Sequence, residues 1–320
     1  MHAHYAVICY LVAQVVTSTP LHLNDDDCIN GDEGLEWLSE RMSDASAIIC
    51  RQGGHPPFMK STYWAAQYVN NASVTVLPAS SLDVSYAVQA TRRTPLGNGY
   101  AFVSGGHALT GASTSIGFLI DLARLNHTTV PHDFSISDIT TDKTVVMYEG
   151  GVTSLGLQMA TNGTGWTAVS ARASGVGMGG FTTGGGIGFA AGAYGYALDR
   201  LVALEVVLPS GQIVVATKTN QFLDLFWAIQ GGSGQFGIVT KFYQEAFRTP
   251  SAVKVGYYVV ANESSAQRYR NTEVFFREHS DPFSLVYYAL AYLPRGWPNV
   301  KSDEIQYQII RLLVTLWYVQ

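Results

Sequence analysis

From residue 70 to 250 the chain alternates short apolar runs with glycine- and proline-rich breaks, and the spacing of the apolar positions switches repeatedly between strand and helix periods. Residues 74–77 predict a strand that stops at Pro78. Ser80 and Asp83 form a capping-box-like start, and Leu82, Tyr86 and Ala90 with Val84, Ala87 and Val88 predict a helix to Arg93. Pro95, Gly97, Asn98 and Gly99 make a turn, and residues 101–104 predict a strand running into Gly105-Gly106-His107. Further strands are expected at 118–122, 143–149 and 166–169, with a helix at 152–160. Residues 201–208 and 212–217 flank Pro209-Ser210-Gly211 as a hairpin, followed by a helix at 222–229 and a strand at 237–242. Hairpins mixed with crossovers predict an α+β fold rather than a doubly wound parallel sheet.

The two ends differ from this central part. Residues 1–24 hold no Lys, Arg, Asp or Glu, and 5–16 are apolar apart from Gln14. That run has the length of a secretory signal's apolar core and is too short to span a bilayer. Residues 1–19 are therefore read as a signal peptide and 20–69 as an N-terminal segment. The alternative is a buried N-terminal strand or helix, since His2 and His4 stand where a Lys or Arg is usual. Beyond Pro250, strands are expected at 253–260 and 284–292, and the apolar tail 309–319 carries one Arg and is too short for a membrane span.

With Cys9 removed with the signal, Cys28 and Cys50 remain as a pair able to close a loop in an oxidising compartment. Sequons at Asn71, Asn126, Asn162 and Asn262 point the same way, toward a secreted glycoprotein. A net charge of −5 with only 13% charged residues argues against a phosphate-backbone-binding surface, so no nucleic-acid partner is expected; with both apolar runs too short to span a bilayer, no membrane partner is expected either. An apolar content of 47% excludes disorder.

Glycine is concentrated in two places. Ser104-Gly105-Gly106-His107 is one, and the other holds ten of the 32 glycines between Gly175 and Gly195. Glycine allows positive φ and close backbone approach to a ligand, and successive N–H groups in such loops form anion nests. Two loops of this kind could grip both ends of a diphosphate. Gly175-x-Gly177-x-x-Gly180 matches a dinucleotide fingerprint in form, but glycine rather than a helix is expected after it, and Asp199 ends no second βαβ strand. His107 has no ligand partner at metal spacing, and no Ser elbow is present. The residues alone thus lead to an α+β protein with two anion-cradling loops, one carrying an imidazole.

Several ordered motifs then carry a specific resemblance. Val103-Ser104-Gly105-Gly106-His107 with Gly111 and Ile120-Asp121-Leu122, and Val176-Gly177-Met178-Gly179-Gly180-Phe181-Thr182 with Gly184 to Gly188, resemble the FAD-binding stretches of berberine-bridge-enzyme-like flavoproteins of the vanillyl-alcohol-oxidase superfamily. Asp224-Leu225-Phe226-Trp227-Ala228 and the run Gly231 to Thr240 continue the pattern, and Tyr63-Trp64-Ala65-Ala66-Gln67 is similar to the fungal members. The similarity covers about residues 60–250, so an FAD-binding domain of the PCMH type is expected at 70–250 and a partial substrate-binding domain at 251–320.

The resemblance implies two α+β subdomains clasping FAD. It implies His107 as the covalent flavin site, with Val103, Ser104, Gly105, Gly106, Ala108, Gly111, Val176, Gly177, Gly179, Gly180, Thr182, Gly185, Gly186, Gly188, Ile238 and Val239 around the cofactor. Ala173 stands where some members have a second attaching Cys, implying a single bond, and Val176 at the oxygen-gating position implies an oxidase. The implied reaction moves a hydride from a small alcohol, sugar or amine to the flavin, with O₂ as acceptor and H₂O₂ as product. Family members run well past 320 residues and the usual base lies beyond this chain, so no catalytic residue is assigned. The alternative is a truncated or degenerate FAD-binding module without turnover; a weaker third reading is a different nucleotide-binding protein holding a phosphate ligand noncovalently.

Overall fold

The computed structural model describes residues 26–51, 63–68, 72–130, 143–249, 256–260, 265–278, 284–292 and 307–315. The proposed signal peptide and the sequons at Asn71 and Asn262 lie outside the described residues.

The first lobe begins with two short helices, α1 (Asp26–Ile29) and α2 (Glu33–Ser39), the second capped by Asp32, whose carboxylate accepts from the N–H groups of Gly34 and Leu35. Its sheet has the order β1 (Ala47–Cys50), β2 (Val74–Leu77), β4 (Phe118–Asp121), β3 (Ala101–Val103). The pairs β2–β4 and β3–β4 are parallel and β1–β2 is antiparallel. Strand β1 and helix α2 come from the segment before residue 70, yet Leu35, Leu38 and Ile48 are buried in the same core as Val76, Phe118 and Ile120. Burying each such side chain contributes about 1.5–3 kcal/mol. A disulfide joins Cys28 to Cys50 with Cα atoms 6.1 Å apart, tying the α1 end to β1. Closing a loop of that size stabilises the fold by about 3 kcal/mol.

Helix α3 (Ser81–Ala90) crosses this sheet. Ser80 accepts from the Asp83 N–H at 3.1 Å, and Asp83 in turn accepts from the Ser80 hydroxyl and from Ser43, so the capping residues expected from sequence also anchor residue 43. The buried face is Val84, Ala87 and Val88; Leu82 lies about 200° round the helix from Val84 and is exposed.

The second lobe is an antiparallel sheet of order β5 (Thr128–Thr129), β6 (Val145–Glu149), β10 (Ile238–Glu245), β8 (Leu201–Val207), β9 (Ile213–Thr217). The expected hairpin is β8–β9, with Val207 opposite Ile213. Strand β7 (Trp166–Thr167) pairs with β11 (Phe247–Arg248). Helix α4 (Ser154–Thr161), α5 (Met178–Thr183) and α7 (Leu223–Gly232), with the short α6 (Ala191–Tyr194), complete the lobe. Leu157, Met178, Phe226 and Ile229 pack on Tyr148, Leu204 and Phe242. Helix α5 corrects one expectation: the second glycine cluster does contain a helix, because its N–H of Phe181 reaches the Gly177 carbonyl while Met178 is fully buried. Parallel strands in one small sheet and antiparallel strands in the other confirm the α+β class. A third antiparallel sheet, β12 (Gly256–Val260), β14 (Tyr307–Thr315), β13 (Ser284–Tyr292), and helix α8 (Ser265–Glu278) follow.

Candidate functional site

Two loops meet where the lobes adjoin. The first, Ser104 to Ser113, leaves the end of β3; the second, Gly175 to Gly177, leads into α5. They touch directly: a Cβ on Gly105 would run into the Gly177 backbone nitrogen, and one on Gly177 into that of Gly105. The glycines at these two positions therefore answer first to loop–loop contact. Ser104 Oγ donates to the Gly150 carbonyl at 2.6 Å, and the Gly150 N–H donates to Thr240 in β10 at 2.9 Å. The second loop is held by Ser154 N–H to the Val176 carbonyl and Met178 N–H to the Val152 carbonyl, at 2.8 and 2.7 Å.

These contacts frame a cavity of about 900 Å³. Of the residues expected around a cofactor, Ser104, Gly105, Gly106, His107, Ala108, Val176, Gly177, Gly179, Gly180 and Val239 line it. The others do not. Val103 and Ile238 are buried in the first lobe's apolar clusters, and Thr182 is buried with its hydroxyl 2.8 Å from Tyr148 Oη. Gly186 packs on Ala197 and Gly188 on Ser170, while Gly111 and Gly185 sit off the cavity wall. Alternation explains Val103 and Ile238: each is a strand residue whose side chain points to the core while its neighbour faces the cavity.

A third wall was not assigned from sequence. Ser233, Gly234, Gln235 and Gly237 line the cavity from the stretch before β10, and Phe102 faces them from β3. Gly234 lies so close to Phe102 that a Cβ would meet its ring, and Ser233 has a positive φ of 56°. The signal was the glycine run Gly231 to Gly237, which needed the pairing of β10 to place it beside β3.

His107 lies half-buried at the cavity wall, its ring stacked on Trp64 with centroids 5.0 Å apart and planes at 21°. Burial pulls its pKa below the usual histidine value, which keeps the imidazole neutral at pH 7. Tyr63 donates its hydroxyl to the Ser113 carbonyl at 2.9 Å, and burial with the nearby Asp121 charge pushes its phenol well above the ordinary range.

FAD fits this site on three observations. The volume is at the upper end of the roughly 300–1,000 Å³ of ligand pockets. Ser113 Oγ is a buried, unpartnered polar atom among the lining residues. A Cβ on Gly180 would meet nothing within 4 Å, so this part of the second loop leaves room rather than filling it. The described lining carries no acidic or basic side chain other than the neutral His107, so anion contacts fall to backbone N–H groups and hydroxyls. Among the described residues no group of three His, Cys, Asp or Glu side chains could hold a metal, and no helix is long and apolar enough to cross a membrane.

Comparison with known proteins agrees with this geometry. The profile of the FAD binding domain family matches residues 72–217. The FAD-dependent monooxygenase drtC of Aspergillus calidoustus is 33% identical over 254 residues, covering 76% of this chain and 45% of its own length. Among solved structures, a berberine bridge enzyme variant in complex with (S)-reticuline superposes with a TM-score of 0.68 at 22% identity, over 88% of this chain and 54% of that one. Glucooligosaccharide oxidase from Acremonium strictum, described with a 6-S-cysteinyl, 8α-N1-histidyl FAD, gives 0.62 at 22% identity, over 79% and 49%. The chain spans less than half the length of the curated relatives it matches. It therefore carries an FAD binding domain at residues 72–217, in the fold of the berberine bridge enzyme structures and with sequence relatives among fungal FAD-dependent enzymes.

Proposed function

We propose that this chain is the cofactor-holding part of an FAD-linked oxidase whose flavin is bonded to His107. The observation that carries the reading is convergence: both glycine loops, the neutral imidazole of His107 and the start of β10 reach one cavity of about 900 Å³. When bound, FAD supplies the two-electron acceptor for a hydride leaving a small alcohol, sugar or amine. The protein's part is to bind and orient it. Ser104 and Gly150 hold the first loop, Val152 and Ser154 hold the second, and Val176 keeps a small apolar side chain on the wall, leaving O₂ access.

His107, on the cavity wall, would hold the flavin by a bond from a ring nitrogen to its 8α carbon; imidazole and methyl group would each give up one proton, and the two electrons would pass to O₂ as H₂O₂. Ala173 has no sulfur to offer, so attachment is single.

Acid precipitation tests this. The wild-type pellet is expected to keep flavin absorbance, and the His107→Ala pellet to lose it. A colourless wild type sinks the flavoprotein reading. Pellet-bound flavin with no H₂O₂ from a panel of alcohols, sugars and amines replaces the oxidase reading with a binding module.

Secretion is part of the same reading, supported by the Cys28–Cys50 disulfide and by exposed sequon residues Asn126 and Asn162. Protein recovered from the medium of a fungal host should shift in mobility on N-glycosidase treatment, less so after Asn126→Gln and Asn162→Gln. An unshifted or wholly intracellular protein refutes it.

A further inference from the structure

None of residues 63–68 lines the cavity, yet this segment is bound to the first loop at three points. Tyr63 Oη donates to the Ser113 carbonyl at 2.9 Å, Trp64 N–H to the Gly106 carbonyl at 3.2 Å, and Tyr68 Oη to the Leu109 carbonyl at 2.7 Å. The Tyr63 ring also lies against Gly106, which has φ +70°; a Cβ there would sit 3.2 Å from the ring. These contacts make the segment a strap across the residues flanking His107. Its Trp64 side chain is 65% exposed, although an indole loses most by facing water. What that indole covers is the His107 imidazole, stacked at 5.0 Å. On the second loop, a Cβ at Gly175 would lie 3.8 Å from His107 Nε2. The imidazole thus has an aromatic plane against one face and a glycine of the other loop near its Nε2.

We infer that Trp64 is a positioning residue for His107: its stacked indole fixes the ring's plane and aims it at the cavity, so that a nitrogen is presented to the flavin methyl group. The inference rests on His107 being the attachment site. A histidine side chain turns about two bonds, and attachment requires one rotamer in line with the reacting carbon. Restricting the ring before the cofactor arrives raises the fraction of encounters in reacting geometry. The strap's main-chain bond to Gly106 moves loop and indole together, so their relative geometry is kept when FAD enters.

The test uses flavin-free full chain mixed with FAD, following acid-stable flavin over time and total bound flavin by gel filtration. Trp64→Ala is expected to slow attachment by about tenfold or more while total binding changes little. Trp64→Phe, which keeps a stacking plane, is expected to stay within about threefold of wild type. Attachment by Trp64→Ala at the wild-type rate overturns the inference and leaves the His107 reading standing. Equal slowing in Ala and Phe variants that bind FAD normally also overturns it, since stacking would not be the cause. A wild type that binds FAD but leaves none in the pellet removes the His107 reading and this inference with it.

Discussion

Gly177→Ala is expected to cost about 2–3 kcal/mol of stability and to abolish tight FAD retention, with Gly105→Ala behaving alike. Gly177 has φ −71° and ψ 127°, which any residue can adopt, so the cost is one of space. The new methyl group would run into the Gly105 backbone nitrogen and Ser104 Oγ. Neither side can withdraw without breaking a bond: Gly177 bridges Thr153, and Ser104 Oγ is held by the Gly150 carbonyl. Separating the loops therefore opens the cavity wall as well as the packing beneath it. Gly180→Ala is the control for stability alone, because a Cβ there meets no protein atom within 4 Å and helix position 180 gains about 1 kcal/mol from alanine, while its place on the cavity wall makes its flavin content no reference. Urea titration with flavin content measured on the same samples decides the matter. A Gly177→Ala midpoint equal to wild type would show that the loops are not in contact.

Glu205→Gln is expected to destabilise the protein by about 1–3 kcal/mol at neutral pH and by much less in acid. Glu205 lies on β8 and accepts from Ser81 at the start of α3, from Thr240 Oγ1 at 2.8 Å and from Lys241 Nζ at 3.1 Å on β10. It is the carboxylate through which the first lobe's helix is joined to the second lobe's sheet. Thr240 also receives the Gly150 N–H, so the same clamp supports the cavity wall. Burial alone would raise the Glu205 pKa, but the hydrogen bonds from Ser81 and Thr240 and the Lys241 charge outweigh it and hold the value below the ordinary one. A folded pKa below the unfolded one gives stability that is full above the unfolded value, near 4.3, and is lost as pH falls through the folded value. Asp83 and Glu245 are lowered too, so wild-type stability alone cannot identify the group. The difference between wild type and Glu205→Gln can. It should be constant above about pH 5 and close below it. A difference that persists unchanged into acid would mean that the charge contributes nothing.

Much of this architecture is legible in the chain because its signals are local. Ser80 and Asp83 start a helix wherever a helix can follow, since the cap satisfies N–H groups of its own first turn. Pro209-Ser210-Gly211 between two apolar runs turns the chain back on itself, and β8 and β9 pair as that turn requires. The loop holding His107 could be recognised because glycines at successive positions after a strand are rare without a structural cause.

Other features depend on partners far along the chain. Leu82 fits the helical spacing as well as Val84 does, and only the sheet beneath α3 decides which of the two is buried. The segment before residue 70 lacks a strong strand pattern, but β1 gains its place by pairing with β2. Helix α5 forms amid glycines of low helix propensity because Met178 and Thr182 are buried beneath it. The reason for Gly105 and Gly177 is likewise mutual contact, which no spacing within either loop reveals.

The order of caps, turns and apolar runs thus determined the α+β class, the hairpin, the start of α3 and the loop that bears the imidazole, because each depends on bonds made within a few residues. The tertiary structure decided which of the glycines face the cavity, that Ser233 to Gly237 form its third wall, and that Trp64 lies on His107. Those outcomes require segments 40 to 130 residues apart to meet, and such meetings are set by the packing of whole sheets and helices rather than by any local run of sequence.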